Sequence, residues 1–74
     1  MNLSDFNLTK REIEVLKLIA QGKSNLEIAK ILYVSIHTSK MHICNIFMKM
    51  DVNDRTHAVV KAIQNNIINI NFDD

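Results

Sequence analysis

The sequence predicts an all-α fold: a four-helix domain in which a short second helix and a longer third helix form the centre. Three observations predict it. The 74 residues contain no Pro and only Gly22 among glycines, which favours long helices over many short strands. Apolar residues recur three and four apart through most of the chain rather than alternating. Helix start signals, a Ser, Thr or Asp followed by an apolar periodic run, recur along it. At this length the chain is expected to be a single domain over residues 1–74, with one small core and no room for a roomy internal active site, since such a domain buries only about 60% of the surface its unfolded chain exposes.

Met1 to Asn7 lacks periodicity and reads as a flexible lead-in to a helical core spanning 8–67. Leu8-Thr9-Lys10-Arg11-Glu12-Ile13 then carries a full helix start. Thr9 is the N-cap, Glu12 completes a capping box, and Leu8 staples onto Ile13; the cap is worth about 1 kcal/mol. Val15, Leu16 and Ile19 continue the apolar stripe, and Gly22 supplies the left-handed residue that ends the helix.

Ser24 with Glu27 repeats the capping box, so the second helix is short, about Asn25 to Leu32, with Ile28 and Leu32 facing the core. Tyr33 and Val34 make the turn and Ser35 caps the third helix. There Ser39, Ile43, Ile46 and Met50 follow the spacing of a buried stripe, broadened by Phe47, while His37, Lys40, Met41, Cys44 and Met48 are displayed. Asp51 to Asp54 breaks the period, and Asn53 or Asp54 caps a fourth helix from about Arg55 to Asn65. Ala58, Val59, Ala62 and Ile63 are expected to pack, with Val60 and Ile67 left uncovered. The segment Ile67 to Phe72 is too apolar for a free tail and should fold back or meet a partner.

The formal net charge is only +1, but its distribution is uneven. From Ile28 to Met50 there is no Asp or Glu, while Lys30, Lys40 and Lys49 stand unopposed. An acid-free amphipathic helix with basic and small polar residues outside, joined by a tight turn to a shorter helix, is the sequence form of a DNA-reading helix-turn-helix. Cys44 is the only cysteine, which excludes an intrachain disulfide and a multi-cysteine zinc site. His37 and His42 lie five apart rather than on one helix face, so no metal is expected, and no cofactor. No nucleophile and base pair or phosphate loop appears, which disfavours an enzyme. No apolar run is long enough to span a bilayer and no leader pattern opens the chain, so no membrane partner and a cytoplasmic setting are expected.

Several ordered motifs resemble the LuxR-type (GerE-like) helix-turn-helix domain in its stand-alone form. They are Leu8-Thr9-x-Arg11-Glu12 with Val15-Leu16; Gly22-x-Ser24-Asn25 with Ile28-Ala29 and Leu32; Val34-Ser35-x-x-Thr38-x-Lys40-x-His42-Ile43; Ile46-x-x-Lys49-Met50; and Val52-x-x-Arg55-x-x-Ala58-Val59. The resemblance covers about Leu8 to Ile63. It implies a dimeric, sequence-specific bacterial transcription regulator that binds double-stranded DNA. The third helix, about 35–49, would enter the major groove, and the fourth helix would be the dimer contact, through Val60, Ile63 and Ile67. Base contacts would fall to Lys40, Met41 and Cys44, with His37 beside them on the displayed stripe. Phosphate contacts would fall to Asn25, Ser35, Thr38, His42 and Lys49, flanked by Lys30.

The family usually has Val where this chain has Ser39, and Gly where it has Asp51. The Ser39 hydroxyl is expected to bond back to the carbonyl of Ser35, and Asp51 to adopt the left-handed conformation. Arg55 is expected to pair with a carboxylate. With no receiver or ligand-binding segment before the motif, control is expected to rest on abundance or on a partner; RNA polymerase is a candidate partner of such a regulator. Two other readings share the pattern: a sigma-factor region-four-like domain working within polymerase, and a helical interaction module that sequesters another regulator.

Overall fold

The computed structural model describes residues 6–69. Four helices follow one another: α1 (Lys10–Ala20), α2 (Asn25–Leu32), α3 (Ile36–Met50) and α4 (Arg55–Gln64). Each begins on the side chain that the sequence offers. Thr9 and Ser24 form complete capping boxes with Glu12 and Glu27, Ser35 accepts from the Thr38 amide, and Asp54 accepts from the His57 amide. Of the two residues proposed to cap α4, Asp54 is the one used.

The helix ends share one device. After each helix one residue turns left-handed: Gly22 at φ +84°, Tyr33 at +59°, Asp51 at +57° and Asn66 at +60°. The amide after it then reaches back five residues, from Lys23 to Leu18, Val34 to Ala29, Val52 to Phe47 and Ile67 to Ala62, at 2.9–3.1 Å. This double-bonded closure satisfies carbonyls that the helix leaves open. Only one of the four positions holds Gly, the residue that adopts this conformation without strain.

One core joins all four helices: Val15, Leu16 and Ile19 from α1, Ile28 from α2, Ile43, Ile46 and Met50 from α3, and Ala58 and Ala62 from α4. Val52 closes the α3–α4 turn. α3 packs mainly on α2 and α1, so these two helices form its bed. The small Ala58 and Ala62, both fully buried, let α4 approach closely.

Three expectations change at the periphery. Phe6 packs against the core and Asn7 adopts a left-handed turn, so this end of the expected flexible lead-in belongs to the fold; Met1–Asp5 lie outside the described residues. Ile67 is only 7% exposed and Ile68 is buried too, because the closure after α4 turns the chain back over the core. Ile67 is therefore a core residue and not the uncovered dimer contact expected of it; Ile70–Asp74 lie outside the described residues. Ile63, expected to pack, is 38% exposed and Val60 is 44% exposed.

Asp51 is doubly disfavoured, by its left-handed backbone and by a negative charge at the C-terminal end of α3. Asp51→Gly is expected to stabilise the domain by about 0.5–1 kcal/mol. The check is a higher denaturant midpoint with an unchanged slope.

Candidate nucleic-acid interface

The 15 residues of α3 divide cleanly between two duties. Ser39, Ile43, Ile46 and Met50 are buried, Phe47 half-buried, and His37, Lys40, Met41, Cys44, Asn45 and Met48 exposed. The helix repeat of 3.6 residues places His37, Met41, Cys44 and Met48 along the middle of the outer face, with Lys40 and Asn45 on its two sides. The four residues expected at the bases therefore lie together on one open surface.

The expected phosphate contacts are more scattered. Ser35 and Thr38 sit at the N-terminal end of α3, where the Ser35 hydroxyl accepts from the Thr38 amide and donates to Thr38 Oγ1, both at 3.0 Å. Backbone amides and the positive end of the helix dipole concentrate there. Lys30 is exposed on α2, and His42 is half-buried at the edge of α3. Asn25 turns partly inward: its Oδ1 accepts from Arg55 Nη1 at 3.0 Å, and its carbonyl accepts from the Ser39 hydroxyl at 3.3 Å.

This corrects two expectations about the buried polar groups. Ser39 bonds across to α2, not back to Ser35, because full burial of its side chain at the α2–α3 contact puts the Asn25 carbonyl within reach. Arg55 bonds no carboxylate among the described residues; its second nitrogen donates to the Lys23 carbonyl at 2.6 Å. Arg55, Asn25 and Ser39 thus lock the start of α2 to both α3 and α4. No buried side-chain polar atom among the described residues lacks a partner.

Lys49 is the clearest correction. Rather than standing unopposed for a phosphate, its ammonium lies 2.8 Å from Glu12 Oε1 and donates to the Asn7 carbonyl at 3.1 Å. Glu12 is itself buried, and the same oxygen accepts from the Thr9 amide at 3.0 Å. Burial alone raises the Glu12 carboxyl pKa. The hydrogen bonds from Lys49 and Thr9, with the lysine's charge, outweigh that and hold it below its ordinary 4.5. A second lysine ties the same end of α3: Lys61 Nζ donates to the Met50 carbonyl at 2.7 Å and lies 5.6 Å from the centre of the Phe6 ring. Sequence reading missed both clamps. Its one signal was Glu12, which already had a local explanation in the capping box.

A short α2 joined by a tight turn to an exposed, acid-free α3 has the form of a helix-turn-helix DNA-binding domain. The comparisons narrow the class to a family: residues 6–62 match that described as bacterial regulatory proteins, luxR family, and the chain belongs to it. The transcriptional regulatory protein LiaR of Bacillus subtilis is 54% identical over 63 residues, covering 85% of this chain and 30% of LiaR. The response regulator protein VraR of Staphylococcus aureus is 52% identical over 61 residues, covering 82% of this chain and 29% of VraR. Among solved structures, the response regulator ChrA of a heme-sensing two-component system superposes with a TM-score of 0.81 at 40% identity, covering 84% of this chain and 31% of ChrA. The chain thus spans about a third or less of the length of these relatives. DNA-binding transcription regulation is the function that this family carries.

Since the depressed Glu12 pKa is a folded-state property, its stabilisation is present above the unfolded value near 4.5 and is lost as pH falls through the lower folded value. Lys49→Met is expected to cost about 2 kcal/mol near neutral pH, by stranding a buried carboxylate. Its deficit relative to the parent should shrink as Glu12 protonates. Urea unfolding of both proteins across the acid range measures this.

Proposed function

We propose that the chain binds specific DNA sites as a dimer, with α3 lying in the major groove. The observation that carries this reading is the division of α3, whose outer face joins Lys40, Met41 and Cys44 without a single carboxylate. Around it, Ser35 and Thr38 at the helix start, His42 at the edge of α3 and Lys30 on α2 suit phosphate oxygens. Asn25 is assigned to phosphate contact through its amide nitrogen, its oxygen being held by Arg55. Lys49 serves instead to hold α3 in place.

The dimer follows from a shortage of charge. Lys40 is the one cation on the outer face of α3, so a single domain gains little from counterion release, and a second half-site about 34–36 Å away supplies the missing affinity. Val60 and Ile63, exposed on α4, are the assigned contact. Beside them an open hollow lined by Ile19, Arg55, Thr56, Val59 and Val60 leaves room for a side chain of the second copy.

Lys40→Ala is expected to weaken specific binding by about 1–3 kcal/mol and to relax preference at one base position. Competition binding on a selected site and on random duplex measures both. Equal losses on the two DNAs, or no binding to either at low salt, contradict the reading.

Cys44 is a free thiol and exposed. Saturating specific DNA is expected to slow its alkylation at least about tenfold, since the thiolate must be reached to react. Labelling at the same rate with and without DNA contradicts the orientation of α3.

A further inference from the structure

The outer face of α3 has an unusual chemistry for a surface that reads DNA. Its middle line is Met41, Cys44 and Met48, with His37 at the start, and Met41 and Met48 are 48% and 73% exposed. From Ile36 to Met50 there is no Arg, Gln, Asp or Glu. The fork that binds guanine at two atoms is therefore missing, and so is the carboxylate that accepts from cytosine. Lys40 supplies one point charge at the side of this line.

What the line offers is apolar and polarisable. Met41 is long and flexible enough to fit an irregular surface, and the small Cys44 next to it allows close approach. The one apolar group that a base pair shows in the major groove is the 5-methyl of thymine. Asn45, on the other side of the line from Lys40, carries the amide suited to adenine. Met41, Cys44 and Asn45 thus favour A·T pairs, while Lys40 and His37 also suit other bases, and Met41 and Cys44 lie less than one helical turn apart, a spacing that suits neighbouring pairs.

We propose that Met41 and Cys44 read thymine 5-methyl groups, so that the centre of each half-site consists of A·T pairs. This rests on the reading of α3 as the groove-binding helix. Apolar contact replaces hydrogen bonding as the source of discrimination at these positions, with Lys40 fixing one further position.

The test changes the DNA and leaves the protein intact. Binding sites are first selected from a random duplex library. Each thymine of the selected half-site is then replaced singly by deoxyuridine, which keeps the pairing and the O4 acceptor and removes only the methyl. Loss of one buried methyl is expected to weaken binding about fourfold at one or two adjacent positions, and negligibly elsewhere. Met41→Ser, checked for helical content and thermal transition, is expected to bind the thymine and uracil sites equally at one of those positions. Indifference to every uracil replacement, or G·C pairs selected at the centre of the half-site, overturns the proposal while leaving the DNA-binding function standing. Failure to enrich any sequence overturns both.

Discussion

One helix has to do two incompatible things. α3 must bury a stripe to be held and show a stripe to be useful, and it has 15 residues for both. The rest of the domain follows from that constraint. α1 and α2 receive Ser39, Ile43, Ile46 and Met50, and α4 completes the enclosure through two alanines. The core is small, so polar contacts at its edges add to the packing that fixes the axis of α3. Three polar clamps do so. Ser39 ties the first half of α3 to the start of α2, while Lys49 and Lys61 tie its last turn to α1, α4 and the segment at Phe6 and Asn7.

Those clamps explain how a face with few charges can still be held in a defined attitude. A binding surface on a loosely held helix would lose affinity to the entropy of ordering it. Here the ordering is already done in the folded chain, by groups on the inner and lateral sides of the helix. Lys49 shows how the two duties compete for residues: a lysine at the edge of the displayed helix has been drawn into the structure, and the outer face is left with Lys40.

Much of the fold was legible in the sequence because it is encoded locally. The caps at Thr9, Ser24 and Ser35, the limits of α2, the left-handed Gly22 and Asp51, and the alternation of buried and displayed residues in α3 all depend on neighbours within a few positions. What escaped were partnerships between distant residues. Lys49 and Glu12 are 37 positions apart and Arg55 and Asn25 are 30 apart, and neither residue of either pair carries a mark naming the other. Ile67 was misplaced for a related reason. The chain reversal after α4 depends on Asn66, a residue less strongly marked than Gly for a left-handed turn. The displayed stripe was legible from periodicity, whereas what it would meet depends on a partner molecule.

Tyr33 illustrates what the turn between α2 and α3 asks of its residue. The backbone is bent left-handed and the ring is 95% exposed, so the position uses the main chain and leaves the side chain idle. Tyr33 is also the only tyrosine, and the sequence has no tryptophan. The chain's natural fluorophore therefore sits in water whether the domain is folded or unfolded, and its emission is nearly silent on folding. The same isolation makes it a clean optical probe of anything that comes to rest against the turn.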